Sequence, residues 1–339
     1  MRILVVGLGS MGRRRLRNLR HIGGVELAAY EPSHQRRIEA AREFDIPILS
    51  SFQDGLEWGP GALVISTPPD RHAQYALQAA EAGIAFFTEA SVVTDGMEEV
   101  LAAVRASGSL GAPSCTMRFH PAVQSMRRRL GEGAIGRPLA FTHHVGQYLP
   151  DWHPWEDYRS FYGARRETGA AREIVPFELN WLTYLFGAVV QLGCFRGKLS
   201  DLEADIDDIY SSLLGFASGV HGSMVIEVIS RPPIRRARII GEQGTLEWDW
   251  GAHCVREWRA AEKEWREHPD PPLVQGPGGD WVAENMYIEE MRGFLRAIEE
   301  GPEHWPLSLE DDHALLGTLM DLERSSMHAR QELAAGEPR

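Results

Sequence analysis

Lysine is almost missing from this 339-residue sequence: of 35 basic residues only Lys198 and Lys263 are lysine, and neither lies in the first half. Any chemistry that needs a lysine from the first half of the chain is therefore excluded. Cysteine is scarce as well. Cys115, Cys194 and Cys254 are widely spaced with no C-x-x-C pair, which fits a reducing, cytoplasmic setting and gives no metal framework. No stretch approaches the roughly 18 apolar residues needed to span a membrane. The N-terminal run MRILVVGLG is too short for a signal peptide and has no cleavage site. An excess of positive charge is also lacking: the net charge of −13 argues against a nucleic-acid or anionic-membrane partner. Arg13-Arg14-Arg15 and Arg127-Arg128-Arg129 fall in helical patterns, where solvated faces are expected. His143-His144 has no third ligand at metal spacing, so no metal site is expected.

What is present is an ordinary globular composition, 43% apolar and 24% charged, in a chain long enough for two domains. Up to about residue 114, short apolar runs at 3–6, 26–30, 62–66 and 85–88 alternate with helical stretches around 12–21, 34–44, 72–82 and 97–107. That alternation predicts buried parallel strands with right-handed helical crossovers on both faces. After residue 119 the character changes. Residues 150–159 (PDWHPWEDYR) read as an ordered loop, 170–186 as a helix, and 189–198, 209–216, 220–229, 237–241 and 245–250 as strands of an antiparallel sheet with one covered face. Helices over 281–300 and 307–332 close the chain, with a Pro/Gly loop at 269–279 before them.

Gly7-Leu8-Gly9-Ser10-Met11-Gly12 follows the first strand directly and opens the first helix. A tight turn needs Gly7, close approach of a pyrophosphate needs Gly9, and helix–strand packing needs Gly12. Unpaired amides at the helix start, over Ser10 and Met11, face the phosphates. Glu31, ending the second strand, is placed to bind the ribose hydroxyls of NAD; Arg36 and Arg37 just beyond it could instead reach a 2′-phosphate, so NAD is favoured over NADP without excluding it. The expected architecture is an α/β Rossmann domain with a doubly wound parallel sheet over residues 1–120. An α+β domain with a large, mostly antiparallel sheet follows over 121–339, and its C-terminal helix is free to pack back on the first domain.

With Ser66-Thr67-Pro68-Pro69-Asp70-Arg71-His72 and Arg118-Phe119-His120-Pro121, the glycine motif makes nearly the whole chain resemble the glucose–fructose oxidoreductase / inositol dehydrogenase (Gfo/Idh/MocA) family. The resemblance implies hydride chemistry on a sugar, cyclitol or sugar-nucleotide hydroxyl or ketone. It also implies cofactor contacts from Thr67, Pro68, His72, Glu89 and Ala90. In the family a Glu-Lys-Pro tripeptide and an Asp-x-x-x-His helix supply the proton-handling groups. Here the tripeptide reads Glu89-Ala90-Ser91, and the helix carries Glu173, Phe177 and Asn180 where the family has Asp, His and a later Asp.

Three readings follow. Redox chemistry continues with a different acid/base, for which Glu173, Glu178, His153 and Tyr158 are candidates; or a retained cofactor supports an epimerase or lyase; or the chain is a non-catalytic, partner-dependent binding protein. Arg118, Asp151, Trp152, Phe177 and Asn180 are candidate contacts to a polyhydroxylated small molecule, with an interdomain ion pair as the other reading of Arg118 and packing that of the tryptophans Trp152 and Trp155. The apolar strand face of Met224, Ile226 and Val228 is expected to pack against a second subunit in a homodimer or homotetramer.

Overall fold

Ile3, Leu4, Val5 and Val6 are all completely buried, as a strand covered on both faces requires. In the computed structural model, which describes residues 1–152, 154, 157–272 and 284–335 with side chains as far as Ser326, that strand is the centre of the first of two units.

The first unit comprises Met1–Phe119 with Ala283–Ala314. Its elements run β1 (Arg2–Val6), α1 (Ser10–Ile22), β2 (Glu26–Tyr30), α2 (His34–Glu43), β3 (Ile48–Leu49), α3 (Phe52–Glu57), β4 (Ala62–Ile65), α4 (His72–Glu81), β5 (Ala85–Thr88), α5 (Met97–Ser107) and β6 (Gly111–Pro113). All six strands are parallel, in the order β3-β2-β1-β4-β5-β6. The order reverses between β1 and β4, and ligands of such sheets bind in the crevice at the carboxyl ends of those strands. The two-residue β3, the short α3 and the three-residue β6 are too brief to show a sequence period.

The second unit comprises His120–Val282 with Leu315–Arg339. It contains α6 (Pro121–Gly131), β7 (Pro138–Gly146), α7 (Ala170–Phe186), β8 (Val189–Gly197), β9 (Ile209–Phe216), β10 (His221–Glu227), β11 (Ile234–Gly241), β12 (Gly244–Asp249), β13 (Cys254–Arg259) and β14 (Glu264–Pro269). The order is β14-β13-β12-β11-β7-β10-β9-β8, antiparallel except where β10 pairs with β7. The helices α8 (Glu284–Glu300) and α9 (Leu309–Ala335) end the chain. The Pro/Gly loop expected at 269–279 gives its first residue to β14, and residues 273–283 lie outside the described ones.

The helix α7 packs on β9 and β10 and contributes buried Leu179, Trp181, Leu182 and Phe186 to the core. This corrects one expectation. Met224, Ile226 and Val228 are fully buried inside the unit, because α7 takes the apolar face of the sheet. Exposed apolar side chains on this part of the sheet include Val190, Phe195 and Leu213, each about two-thirds open, and Phe195 and Leu213 lie on the opposite face from Met224. His143 is buried and His144 half-exposed, as alternation along β7 demands.

Candidate functional site

The first unit builds a phosphate cradle. Gly7 has φ +91°, and a Cβ there would meet the Ser66 carbonyl oxygen at 2.8 Å; a Cβ on Gly12 would lie 1.8 Å from the Gly7 carbonyl oxygen. A Cβ on Gly9 would meet nothing within 4 Å, so the space above the turn is open. Gly9 is the N-cap of α1 and gives no side-chain cap, so the first amides of that helix keep their capacity for an anion. Ser10 is exposed and Met11 half-buried beside it. Thr67 lies against Gly7, and its buried Oγ1 has no hydrogen-bond partner among the described residues; the same holds for Nδ1 of His72. His72 Nε2 meets the Thr67 carbonyl at 2.8 Å, and burial holds the imidazole below its ordinary pKa. Pro68 is exposed beside them. A dinucleotide fits these features: an open cradle for its phosphates and orphaned polar atoms at the crevice.

Glu31 follows β2 as expected, but its carboxylate faces the backbone. It accepts the Leu8 N–H at 2.7 Å and the Ser33 N–H at 2.8 Å, and it is buried. It therefore pins the glycine turn to the end of β2, and only its remaining lone pairs are left for a ribose. Arg37 donates to the carbonyls of Glu31 and Pro32, at 2.8 and 2.9 Å, which draws its guanidinium away from the role of phosphate ligand.

Glu89 follows β5 directly and lies in a network the sequence did not announce. Arg15 donates to it twice, from Nε at 2.7 Å and Nη2 at 2.8 Å, and Nη2 also reaches Glu290 at 2.8 Å. The Ser66 hydroxyl donates to Glu89 at 3.1 Å. Glu290 in turn accepts from Ser114, the Cys115 N–H and Thr116. Arg15 is completely buried, with its guanidinium over Phe87 and Tyr287, at 4.6 and 5.3 Å. The expected solvated face of Arg13-Arg14-Arg15 is thus wrong for Arg15, because two carboxylates distant in sequence compensate its burial. Burial works against its charge, but Glu89 and Glu290 outweigh that and raise its pKa above an already high value. Ala90, half-buried, follows directly.

In the second unit, Glu173 stands in the first turn of α7. Its Oε1 accepts the Tyr162 hydroxyl at 3.0 Å. In the first half of the helix, Glu173, Ile174 and Phe177 keep some exposure while Ala170, Ala171, Val175, Pro176 and Glu178 are buried. Those three side chains form the open face of α7. Asn180, one turn further, is buried.

Glu178 points the other way. It has no exposed surface and accepts from His143 Nε2 at 2.8 Å, Trp181 Nε1 at 2.6 Å and Arg235 Nη2 at 2.8 Å. Burial would raise its carboxyl, but Arg235, His143 and Trp181 bring it down to about 2. A carboxylate so enclosed and so strongly held as an anion joins α7 to β7 and β11 and is a poor proton acceptor, contrary to its expected candidacy.

The remaining candidates scatter. Tyr158 accepts the Glu203 N–H at 3.1 Å, Asp151 pairs with Arg231 at 3.2 Å, and Trp152 donates to the Gln147 carbonyl at 3.3 Å. Arg118, in a short 3-10 turn (Thr116–Phe119) and buried, donates to the Pro306 carbonyl within its own unit. His120 caps α6, its Nδ1 accepting the Ala122 N–H. His153 and Trp155 lie outside the described residues. Arg15, Tyr162 and Arg235 are the residues that sequence reasoning missed.

Residues 1–112 match an oxidoreductase family with an NAD-binding Rossmann fold, and residues 123–247 match the GFO/IDH/MocA C-terminal domain. The chain belongs to the Gfo/Idh/MocA oxidoreductase family. Among curated relatives, it is 32% identical over 264 residues to scyllo-inositol 2-dehydrogenase (NAD(+)) of Bacillus subtilis (strain 168), covering 73% of each chain. It is 29% identical over 227 residues to levoglucosan dehydrogenase of Pseudarthrobacter phenanthrenivorans, covering 57% of this chain and 56% of that protein. The structure of a levoglucosan dehydrogenase in complex with NADH superposes with a TM-score of 0.83 at 20% identity, covering 97% of both chains. Like the rest of the Gfo/Idh/MocA family, this oxidoreductase carries an NAD-binding domain.

Proposed function

We propose that this chain interconverts a secondary hydroxyl and the corresponding ketone on a sugar, cyclitol or sugar nucleotide, using NAD(H), with Glu173 as the acid/base. The observation that carries the reading is Glu173, half-exposed on α7 beside Ile174 and Phe177, whose Oε1 accepts the Tyr162 hydroxyl and whose Oε2 is buried. Loss of hydride from an alcohol carbon requires a group that takes the hydroxyl proton. Arg15 cannot serve, being buried and permanently charged, and Glu178 is enclosed and strongly acidic. Bound NAD+ supplies the hydride acceptor.

The residues fitted to hold the dinucleotide are Gly7, Gly9, Ser10, Met11 and Gly12 at the phosphates and Glu31 at the adenosine ribose. Thr67, Pro68, His72, Glu89 and Ala90 flank its other half. Phe177 and Ile174, both half-exposed, share a face of α7 with Glu173. The inositol and levoglucosan dehydrogenases among the relatives support the substrate class. The exposed Val190, Phe195 and Leu213, beside a groove of about 620 Å³ lined in part by Gly193, Gly215 and Gly222, support a homo-oligomer formed through the outer face of the sheet.

The test is Glu173→Gln, assayed with NAD+ across inositols, free sugars and sugar nucleotides. Turnover is expected to fall by about 100- to 10,000-fold, with NADH affinity unchanged. Retained turnover would remove Glu173 from the chemistry. A wild-type chain that binds NADH yet is inert on every substrate would favour a non-catalytic role.

A further inference from the structure

We infer that Tyr162 is a positioning residue for Glu173: its hydroxyl fixes the carboxylate and stabilises its charged form, doing for a glutamate what a shorter side chain at that position would not need. This rests on the reading of Glu173 as the acid/base. A glutamate has one more rotatable bond than an aspartate, so holding its carboxylate in one place costs more entropy. An unanchored glutamate at the start of an exposed helix face would sample several rotamers.

The neighbourhood is built against that freedom. Tyr162 opens a 3-10 turn (Tyr162–Ala164) and donates to Glu173 Oε1 at 3.0 Å. Its own backbone is held in turn, because Thr168 Oγ1 donates to the Tyr162 carbonyl at 2.5 Å. Phe161 packs edge-on to the Tyr162 ring with centroids 5.5 Å apart. Arg172, next to Glu173 on α7, donates to the Glu167 carbonyl at 2.6 Å and pairs with Glu323 on α9 at 2.8 Å. Tyr210 on β9 donates to the same Glu323 at 3.1 Å. The segment from Tyr162 to Thr168 is thereby fastened to the first turn of α7 at several points, and the Tyr162 hydroxyl arrives at Glu173 from a rigid support. Tyr162 is an ionisable group that faces Glu173 from this segment, and Arg172 pairs with Glu323.

The chemistry assigns each group its part. A bound nicotinamide would supply the hydride acceptor; the Glu173 carboxylate would take the proton of the substrate O–H as the carbonyl forms, and would return it to the ketone oxygen in the reverse direction. Tyr162 keeps its own proton throughout. A donor to the charged form lowers a carboxyl's proton affinity. Removing the hydroxyl must therefore move the base's titration upward while also loosening its geometry.

Tyr162→Phe tests this with two independent readouts. In kinetics, kcat should fall by about 10- to 100-fold and the acid limb of kcat/KM should move up by about one pH unit, with NADH affinity and the circular dichroism spectrum unchanged. In Glu173→Asp, whose carboxylate falls short of the hydroxyl, adding Tyr162→Phe should have little further effect. A wild-type limb and kcat in Tyr162→Phe, or effects of the two variants that simply multiply, would overturn the proposal. The second readout needs no turnover: in protein labelled with [5-13C]glutamate, the Glu173 carboxyl signal, assigned by its loss in Glu173→Gln, should titrate at higher pH in Tyr162→Phe. An unmoved signal would overturn the positioning role. Inert wild-type protein that binds NADH and shows the shifted signal would instead overturn the acid/base reading while leaving the hydrogen bond established.

Discussion

Arg15 grips Glu89 with two parallel hydrogen bonds while reaching Glu290 with the same Nη2, so one fully buried cation serves two carboxylates. The arrangement puts a fixed positive charge behind the residue that precedes Ala90. In a Rossmann half without lysine, Arg15 is a buried cation that contacts the first residue of the tripeptide 89–91 directly. It is not a proton carrier, because its guanidinium cannot deprotonate.

Removing that cation should be far more damaging than an ordinary surface substitution. Arg15→Met leaves Glu89 and Glu290 buried against each other without compensation, and breaking a buried pair this way costs about 3–5 kcal/mol. Urea unfolding of the variant should show a loss of that size, and NADH affinity should fall with it because Glu89 directly follows the carboxyl end of β5. A loss under 1 kcal/mol would mean that the network contributes little to the fold.

Two glycines of one hexapeptide should behave differently. Gly9 has φ −68° and open space where a side chain would go, so Gly9→Ala should fold with wild-type stability yet bind NADH at least 10-fold more weakly, since the new methyl enters the space of the phosphates. Gly12→Ala places a methyl 1.8 Å from the Gly7 carbonyl oxygen and should destabilise the unit itself. Thermal melts with and without NADH separate the two. Equal loss of stability in both variants would refute the assignment of Gly9 to the ligand and Gly12 to packing.

His120 and Glu178 should each contribute a loss of stability on acidification, in two different pH ranges. Burial, aided by the charge of Arg235, holds His120 at about 3, below its ordinary 6.5. The unfolded chain therefore takes up a proton there first, and stability present above pH 6.5 is lost as pH falls toward 3. Glu178, at about 2 against an ordinary 4.5, adds a second loss between those values. His120→Asn keeps a capping oxygen for α6 without the titration. Between pH 7.5 and 5 the wild type should lose about 2 kcal/mol more than the variant, measured by urea unfolding at each pH. Parallel curves would show that His120 does not titrate as a buried neutral ring.

Much of this was legible in local pattern. The strand–Gly7–α1 junction, the βα alternation and the long strands of the second unit all rest on periods and turn residues that neighbours in sequence set. The network of Arg15 was not, because its burial is decided by Glu89, 74 residues away, and by Glu290 at the far end of the chain. Tyr162 was missed for a similar reason. It sits eleven residues before Glu173 in a segment without regular period, and only the 3-10 turn brings its hydroxyl round. The strands β13 and β14 carry Arg256, Glu257, Arg259, Glu264 and Glu267, so their charge hid an edge hairpin. The choice of the wrong sheet face had another cause. Alternation identifies two faces of a strand, but the more apolar one, with Met224 and Ile226, is the face that α7 claims.

That correction moves the expected subunit contact to the other face and makes it testable. Leu213 on β9 stands opposite Gly193 of β8 and Ser223 of β10, so its exposed side chain projects over small neighbours and beside the groove of about 620 Å³. Phe195, opposite Ser211, adds a second exposed apolar group on the same face. Exposed groups of this kind are what an isologous interface buries, and a charge there meets its own copy across the two-fold axis. Leu213→Glu with Phe195→Glu should convert an oligomer into monomers by light scattering at micromolar concentration, with the circular dichroism spectrum unchanged because neither side chain supports the core. Met224→Ala, by contrast, should lower stability by about 2–5 kcal/mol through the cavity it leaves under α7, without a comparable effect on assembly. An oligomer that survives the double charge would place the interface elsewhere on the chain.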